Sequence, residues 1–540
     1  MLQEHPLALA AMTVAVLVMM PVLAVALSLM DWSTGETWRH LLDTVLGEYL
    51  LNTLVLCIVV ALGVASMGVT TAWLTTMLEF PGRCTLEWAL VLPLACPAYV
   101  LAYVYTDFLQ FVGPLQTWLR ETFHWTRADY WFPDVRSLGG ACAMFMFVLY
   151  PYVYMLARSA FLERAGSLVE AGRSLGLTPW QNFWRVSLPL ARPAVVGGVA
   201  LALMETLADF GTVQYFAVQT FTTGIYRAWF SLGDRIAAAQ LATALLSVVA
   251  LVLLLERASR GRARYAAGAR GRVLHRRPLQ GAMAWLATAS CVLPIVFGFL
   301  LPGGLLLRMA IVEGDAQFGE RYFELVHNSA LISAVTAACA VLLGVLLAYA
   351  ARLARSPWPS VANRVVGLGY AVPGAVIAVG VLIPVARLDN ALAEAIARLT
   401  GNNPGLLLTG GIAALVYAYL VRYLTVALQS IESGLARITP SMDEAARSLG
   451  AGRGETLRRV HWPLLSGSLL TAALLVFVDV MKELPATLVM RPFNFDTLAT
   501  QAYILASDER LAEASTAALT IVVVGLLPVI VLSRRIAHQR

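Results

Sequence analysis

Long apolar stretches separated by short polar ones run along nearly the whole chain. Each apolar stretch contains about 20 or more residues, and an α-helix of that length can cross a bilayer core of about 30 Å. We therefore predict an all-α polytopic membrane protein with about twelve spans. The predicted spans are residues 7–30, 50–78, 87–107, 139–160, 193–216, 237–255, 282–305, 328–351, 365–385, 406–428, 465–490 and 515–533.

The composition agrees with this pattern. Of the 540 residues, 59% are hydrophobic and only 13% are charged, whereas soluble domains carry about 25% charged residues. Because residues 1–6 contain no Lys or Arg and the first apolar stretch is longer than that of a signal peptide, we expect it to remain as an anchor. No polar segment is long enough for a soluble domain of ordinary size, so any receptor or motor must be a separate chain.

The distribution of basic residues predicts the orientation. With the N-terminus placed inside, about two thirds of the 39 Lys and Arg residues fall in cytoplasmic loops, as the positive-inside rule requires. We therefore expect both termini in the cytoplasm. The net charge of +6 then reflects topology and contact with anionic lipid headgroups, and it does not indicate nucleic-acid binding.

Residues 170–190 align without a gap with residues 444–464, and ten of the 21 positions are identical. This repeat indicates duplication. A basic, Gly- and Ala-rich segment between the copies, residues 257–280, predicts a cytoplasmic linker that joins two six-span halves, residues 1–256 and 281–540. An even number of spans in each half makes the two repeats parallel in the membrane.

Each copy of the repeat predicts a short helix with defined ends. Ser167 and Glu170 in the first copy, and Ser441 and Glu444 in the second, have the spacing of a capping box, which predicts that a helix begins there. Gly176 and Gly450 lie six residues after these glutamates. At that position a residue of positive φ would end the helix.

The rest of the loop predicts a second helix. Thr178-Pro179 is typical of an N-cap followed by a first helical residue. Pro189 and Pro463 lie just before the fifth span of their halves. The loop is therefore expected to be a helix–turn–helix, in which the small residues Ala171 and Ala445 allow close approach by a partner.

The repeated loop resembles the EAA loop of the inner-membrane permeases of ABC-type importers. That pattern is Glu-Ala-Ala, three residues, Gly, and later an apolar residue, any residue and Pro; here Gly172 replaces the second Ala, and Trp462 precedes Pro463 where Leu is commoner. The resemblance implies a type I ABC importer permease fold and a coupling helix that docks in a groove of an ATPase subunit. The implied coupling residues are Glu170, Ala171, Leu175, Gly176, Glu444, Ala445, Leu449 and Gly450.

The chain lacks the residues of an ATPase. Lys482 is its only lysine, and no Gly-rich phosphate loop precedes it, so ATP hydrolysis must occur elsewhere. The resemblance implies two copies of a separate ATP-binding subunit and a periplasmic substrate-binding protein. The seven histidines have no metal-ligand spacing, so we expect neither a fixed metal site nor a cofactor.

Acidic residues recur within the fifth span of each half. Glu205 and Asp209 are one helical turn apart, and Asp479 and Glu483 occupy the corresponding positions of the second copy. Ionisable groups inside spans often mark a transport path, and four acids facing a shared axis would favour a cation. Two alternatives stay open: Asp479 and Lys482 could neutralise each other, or the acids could lie near the outer membrane boundary.

Two further features each leave two interpretations open. Pro97 and Pro373 lie at corresponding places in the third span of each half, and they predict either matched helix breaks at the interface between halves or prolines tolerated in ordinary spans. The outer loop, residues 108–137, interleaves aromatic and charged residues. It predicts either an aromatic belt at the lipid interface or a docking surface for an external partner.

Resemblance to the ferric-iron branch of these permeases covers essentially the whole chain and rests on residues 205–216, 221–230, 479–488 and 491–500. It implies import of ferric iron across a bacterial inner membrane from a periplasmic ferric-binding protein. Fused thiamine permeases share this layout, so thiamine or another small solute stays an alternative cargo. A twelve-helix secondary transporter is a further alternative, although residues 79–85 lack the basic motif expected there between spans two and three.

Overall fold

A computed structural model describes residues 4–31, 33, 35–260, 276–312, 319–354, 356–450 and 452–538. The helices of the first half are α1 Glu4–Leu27, α2 Gly35–Thr44, α3 Leu46–Met77, α4 Arg83–Ala89, α5 Ala98–Leu109, α6 Pro114–Phe123, α7 Leu138–Ser174, α8 Pro179–Asn182, α9 Leu188–Ala208, α10 Gly211–Tyr215, α11 Phe221–Tyr226 and α12 Arg235–Arg260. The helices of the second half are α13 Ala282–Ile295, α14 Leu301–Val312, α15 Glu320–Leu353, α16 Trp358–Val366, α17 Gly374–Thr400, α18 Ala413–Leu435, α19 Pro440–Ser448, α20 Arg453–Thr456, α21 Trp462–Met481, α22 Pro485–Met490, α23 Leu498–Ser507 and α24 Leu511–His538.

Short irregular segments connect or extend these helices. Turns of 3₁₀ helix occupy Ser28–Met30, Leu92–Ala95 and Gly369–Ala371. Turns of π-helix occupy Phe183–Ser187, Arg227–Ser231, Val296–Leu300 and Leu457–His461. Two residues, β1 Leu78–Glu79, pair in parallel with β2 Arg277–Pro278. Residues 261–275 of the predicted linker lie outside the described residues.

The helices match the predicted spans. Among the described residues, eleven helices are long and apolar enough to cross a membrane, and a bent pair, Arg83–Ala95 with Ala98–Phe123, brings the number to twelve. The bend of this pair is 91° and falls at the third predicted span. The prediction of an all-α polytopic fold with about twelve spans is therefore confirmed.

The third span of each half breaks at its proline. Pro97 precedes α5 with φ −63° and ψ 145°, and Pro373 precedes α17 with φ −60° and ψ 143°. In both halves a 3₁₀ turn comes immediately before the break. Because proline has no N–H and suits the position just before a helix, the second helix of the span starts afresh at this residue. The predicted breaks at matched prolines are confirmed, and their location at the interface between the halves stays a prediction.

The chain forms two compact units that are interleaved in sequence. Unit 1 contains Met1–Trp38, Ile225–Thr243 and Gln317–Gln501. Unit 2 contains Arg39–Gly224, Ala244–Ala316 and Ala502–Arg540. Each unit therefore includes helices from both sequence repeats: α1 packs on α16 and α17 within unit 1, and α14 and α24 pack on α5 within unit 2. The predicted halves, residues 1–256 and 281–540 with the linker 257–280 between them, are sequence repeats and do not coincide with these two units. That division of the chain stays a prediction.

Small residues allow the helices of unit 2 to approach closely. Helices α3, α7 and α9 pack together. A Cβ added to Gly68 would lie 2.6 Å from the Cβ of Val153, and one added to Gly198 would lie 2.7 Å from the Cα of Val153. Such contacts are typical of membrane helices, whose association depends on close packing rather than on the exclusion of water.

Unit 1 repeats this packing with the corresponding helices, α15, α18 and α21. Gly344, the counterpart of Gly68, faces Ile431, whose Cδ1 would lie 2.9 Å from an added Cβ. A Cβ added to Gly434 would lie 2.5 Å from the Oγ of Ser468. The duplication seen in the loops therefore extends to the helix packing that holds the loops in place.

Candidate functional site

The first coupling loop is the end of a long helix. Helix α7 continues through Ser174 and stops at Gly176, whose φ is +81°. The N–H of Leu177 donates to the carbonyl oxygen of Gly172 at 3.0 Å, which closes the helix end in a Schellman motif. Leu175 is 83% exposed. The predicted end is confirmed, whereas the predicted new helix beginning at Ser167 is wrong, because α7 passes through it without a break.

The second coupling loop contains a separate short helix. Helix α18 ends at Leu435, and α19 begins at Pro440, immediately before the predicted Ser441. Gly450 has a φ of +84°, and Leu449 beside it is 89% exposed. Because only glycine adopts this backbone conformation without strain, both loops end their helix in the same way and leave a leucine in solvent.

The second helix of the loop begins as predicted. The Thr178 N–H donates to the side-chain oxygen of Gln181 at 3.1 Å, and the Gln181 N–H donates to the Thr178 hydroxyl at 3.3 Å. This reciprocal pair is a capping box. It confirms Thr178 as the N-cap of α8, and it adds Gln181, whose place three residues after Thr178 is the capping-box spacing.

Both loops enter the fifth span through a turn of π-helix. Phe183–Ser187 and Leu457–His461 are corresponding segments of the two copies, and each is followed by a helix whose second residue is proline, Pro189 or Pro463. Proline has no N–H for an ordinary helical bond and crowds the preceding turn. A wider turn at this point accommodates it, and π-turns inside helices often occur at functional sites.

The two helices of each loop pack through one buried pair of residues. Gly172 is buried against Asn182, whose side-chain oxygen would lie 3.0 Å from an added Cβ. The equivalent residues of the second copy are Ala446 and Thr456, both buried. The first copy thus combines the smaller helix residue with the larger partner, and the second does the reverse. The departure at Gly172 is therefore explained by packing.

We expect Gly172→Ala to destabilise the first loop by up to about 2 kcal/mol, because overpacking of the contact with Asn182 costs about 1–3 kcal/mol and the better helix propensity of alanine offsets about 1 kcal/mol of it. Gly172→Ala combined with Asn182→Thr should recover most of this loss, because it reproduces the pair of the second copy. Chemical unfolding in detergent would measure both variants. Equal destabilisation by the single and the double variant would show that the two positions do not compensate.

Asp209 ends the fifth span of the first half. Helix α9 stops at Ala208, and the Asp209 carboxylate accepts the N–H of Thr212 at 2.8 Å and its hydroxyl at 3.2 Å. These groups begin the short helix α10. The carboxylate therefore supplies the acceptors that the first N–H groups of this helix lack. The predicted span to residue 216 is broken at this point.

Glu483 has the same role in the second half. It is 5% exposed, and its carboxylate accepts the N–H of Ala486 at 2.8 Å and the N–H and hydroxyl of Thr487 at 3.0 and 2.6 Å. These groups begin α22. A Cβ on Gly374, the first residue of α17, would lie 2.8 Å from the same carboxylate. Two helix starts therefore meet at Glu483.

The other two predicted path residues differ between the halves. The Asp479 carboxylate lies 2.9 Å from the ammonium group of Lys482. The two side chains therefore form an ion pair and neutralise each other, which is one of the alternatives that the sequence predicts. Glu205 is half-buried within α9. A role of the four acids in a solute path stays a prediction, and Asp209 and Glu483 have a definite structural role beside it.

A second repeated arrangement follows each short helix. Asn52 donates its side-chain N–H to the carbonyl oxygen just before residues 220–223, at 2.9 Å, and Asn328 does the same just before residues 497–500, at 3.1 Å. In both segments the first threonine N–H donates to the hydroxyl of the last threonine at 2.8 Å. The sequence contains both signals: Thr-x-x-Thr in each half, and an asparagine at matching positions, because the alignment that pairs Gly68 with Gly344 also pairs Asn52 with Asn328.

Unit 1 contains a cavity of about 750 Å³ on its predicted outer side. Its lining includes Arg235, Arg387 and the Trp229 ring. Neither arginine has a carboxylate within 4 Å among the described residues. Asp234 also lines the cavity, but its carboxylate accepts the Thr37 hydroxyl at 2.8 Å. The two guanidinium charges outnumber the one carboxylate charge of the lining, so the net charge favours an anion or an anionic complex, and a guanidinium group bonds oxyanions in two places. Asp31 also interacts electrostatically with Arg387.

The outer loop in unit 2 is an aromatic surface. Phe123 stacks on Trp125 with ring centres 4.8 Å apart, and Trp125 stacks on Tyr130 at 5.7 Å. Trp131 is 85% exposed. The stacked rings fix the loop after α6, and Trp131 is left to contact lipid or an external partner, so both interpretations stay open.

The sequence matches the model of one protein family twice. Residues 65–264 and 340–540 each match the family described as binding-protein-dependent transport system inner membrane component. The two matches include both coupling loops and both broken fifth spans. The twofold match agrees with the duplication inferred from the loops.

Individual relatives are transport permeases with stated cargoes. The Fe(3+)-transport system permease protein FbpB 2 of Haemophilus influenzae is 27% identical over 503 residues, which is 91% of this chain and 90% of that protein. The sulfate transport system permease protein CysT of Escherichia coli is 29% identical over 209 residues, or 38% of this chain and 71% of that protein. CysW of the same organism is 34% identical over 147 residues, or 27% of this chain and 48% of that protein.

Proposed function

Because the chain belongs to the family of inner membrane components of binding-protein-dependent transport systems, we propose that two copies of a separate ATP-binding subunit drive it. A periplasmic substrate-binding protein delivers the cargo. The chain itself is the transmembrane permease subunit, and its location is a bacterial inner membrane with both termini in the cytoplasm. The basic residues of the predicted inner loops support this orientation.

The observation that carries this proposal is the pair of matching loop ends. In both loops a positive-φ glycine stops a helix and leaves a leucine exposed, Leu175 or Leu449. An exposed leucine at a helix end is a suitable anchor for an apolar groove on another protein. Two such anchors, one in each half, suit a motor made of two subunits.

The coupling residues act together in this proposal. Glu170 and Glu444 lie on the helices, Ala171 and Ala445 allow close approach, and the leucines and glycines form the helix ends. Closure of the two ATP-binding subunits would move both loops, and through the π-turns it would move the fifth spans that follow them. The acids that end those spans then change their position relative to the cargo.

We assign ferric iron as the cargo. Similarity to an Fe(3+) permease extends over 91% of this chain, whereas the similarity to sulfate permeases covers 38% or less. The acids Glu205, Asp209, Asp479 and Glu483 are the candidate path residues for a cation. The outer cavity supports a second candidate, an oxyanion such as sulfate, because its lining carries two guanidinium groups and one carboxylate, and this net positive charge disfavours a bare cation.

Uptake in a deletion strain tests the cargo. Cells that lack this gene and carry it on a plasmid would be given radiolabelled ferric iron, sulfate or thiamine in separate experiments. We expect deletion to abolish only the receptor-dependent iron uptake, and the plasmid to restore it. Loss of sulfate or thiamine uptake with normal iron uptake would overturn iron as the cargo. It would not contradict the proposal that the chain is the permease of an ATP-driven importer.

A further inference from the structure

The second coupling helix is tied to its unit by one carboxylate. Asp443, in the first turn of α19, accepts hydrogen bonds from the guanidinium of Arg352, with Nε 3.2 Å and Nη2 2.8 Å from Oδ2. The other carboxylate oxygen lies 2.5 Å from His461 Nε2. Arg352 belongs to the end of α15, and His461 to the π-turn that leads into α21. Three chain segments therefore meet at Asp443.

Arg352 also holds the main chain around the helix break. Its Nη1 donates to the carbonyl oxygen of Leu435, the last residue of α18, at 3.0 Å. Its Nη2 donates to the carbonyl oxygen of Ile438, in the turn before α19, at 3.0 Å. Arginine presents five N–H donors in a planar fork, so one side chain fixes both sides of the break and the coupling helix.

These contacts are protected from water. His461 is 3% exposed, and the Arg352 and Asp443 side chains are 18% and 22% exposed. Exposed ion pairs contribute little, but charge-assisted bonds in a partly buried, multiply bonded group are stronger and better oriented. These bonds can therefore fix the position and direction of α19, which a simple attraction between opposite charges would not do.

The first half has no equivalent set of residues in its sequence. In the gapless alignment of the two loops, Val169 corresponds to Asp443, and Ser187 corresponds to His461. The alignment that pairs Gly68 with Gly344 places Thr76 opposite Arg352. The first loop is the uninterrupted end of α7, so the span itself fixes its direction. In the second loop, residues 436–439 interrupt the helix between α18 and α19.

We propose that Arg352, Asp443 and His461 form a clamp that replaces helix continuity in the second coupling loop and transmits motor movement from α19 to α15, α18 and α21. They are positioning residues, which act on the cargo only through the helices that they join. The inference rests on the proposed function, because it requires α19 to dock on an ATP-binding subunit. It predicts that the second loop, unlike the first, depends on an ion-paired contact for coupling.

The test compares coupling with docking in proteoliposomes that contain the chain, its ATP-binding subunit and its binding protein. For Asp443→Asn we expect normal retention of the ATP-binding subunit but about a tenfold fall in cargo moved per ATP hydrolysed, the size expected from losing a charge-assisted contact. Hydrogen exchange of α19 should accelerate while that of α7 stays unchanged. A structural defect spread over the protein would accelerate exchange in both helices, and that result would overturn the clamp.

A matched control is available in the same loop. Glu455 pairs with Arg459 at 3.1 Å on the exposed side of the second loop, so Glu455→Gln removes an ion pair without touching the clamp. We expect it to leave coupling unchanged. If Asp443→Asn fails to accumulate, His461→Gln, which removes one of the two partners, should give a smaller fall in the same ratio.

The different failures are distinguishable. If the wild-type chain does not retain an ATP-binding subunit, the proposed function is wrong. If the wild type couples and the accumulating clamp variant moves as much cargo per ATP with unchanged exchange in α19, the clamp is wrong and the proposed function stands. Equal losses in Asp443→Asn and Glu455→Gln would also overturn the clamp.

Discussion

Replacing Leu175 and Leu449 together by glutamate is expected to abolish retention of the ATP-binding subunits while the chain still inserts into the membrane. The two side chains are 83% and 89% exposed, so the chain does not need them for its own packing. If each leucine is buried at a docking groove, it contributes about 1.5–3 kcal/mol, and a buried unpaired charge adds a further cost. The double variant should therefore bind at least about 100-fold more weakly.

Co-purification of the ATP-binding subunit with each variant would measure this effect. The single variants should each lose part of the binding, because the loops dock separately. Leu399→Glu is the matched control, since Leu399 is 86% exposed but lies on the predicted outer side. Normal retention in the double variant, or an equal loss in the control, would contradict the docking role of the loops.

Replacing Glu483 by alanine is expected to destabilise unit 1 strongly, and by more than the replacement of Asp209 destabilises unit 2. The variant leaves the N–H groups of Ala486 and Thr487 without their buried acceptor, and each such loss costs about 1–3 kcal/mol. Asp209→Ala should cost less, because the Asp209 side chain is half-buried and one of its bonds is 3.2 Å long. Helix α22 should unfold locally before the rest of the unit.

Thermal unfolding in detergent would compare the stability of the Glu483→Ala and Asp209→Ala variants, and hydrogen exchange of α22 would show whether this helix unfolds first. Glu483→Gln keeps one carbonyl oxygen as an acceptor and should lie between wild type and Glu483→Ala. If Glu483→Ala unfolds like the wild type but loses uptake, Glu483 acts on the cargo and its contribution as a cap is small. A loss of stability in the reverse order, greater at Asp209, would contradict the structural comparison.

The sequence predicts the spans because apolar length is a strong signal in a bilayer. It misplaces the ends of the fifth spans, predicted to reach residues 216 and 490, because hydropathy does not register backbone N–H groups. Asp209 and Glu483 supply acceptors for a new helix start, and this local competition ends the span while the residues that follow remain apolar.

The two coupling loops show how one residue changes a repeated motif. Both copies carry Ser-x-x-Glu, yet α7 continues through Ser167 and α18 stops before Ser441. Gly166 occupies the position of Pro440. Proline cannot donate a helical hydrogen bond and disfavours helical conformation in the residue before it, so the second copy breaks where the first continues. The capping-box pattern alone does not distinguish these outcomes.

The clamp lies beyond sequence patterns for a different reason. Arg352 and Asp443 are far apart in the chain, and neither position matches its counterpart in the other half. A search for repeated residues therefore passes over them. The useful signal is the opposite one: Asp443 and His461 are ionisable, whereas their counterparts Val169 and Ser187 are not. Such differences between the copies indicate where the two halves hold the same loop by different contacts.

Docking of both loops on an ATP-binding subunit is tested most directly by site-specific photocrosslinking in proteoliposomes that contain the chain, the ATP-binding subunit and the binding protein. A photoreactive amino acid would replace Leu175 or Leu449, with position 399 as the control. We predict that both loop positions crosslink to the ATP-binding subunit and that position 399 does not. Crosslinks from neither loop, or crosslinks from the loops to the binding protein on the outer side, would contradict it.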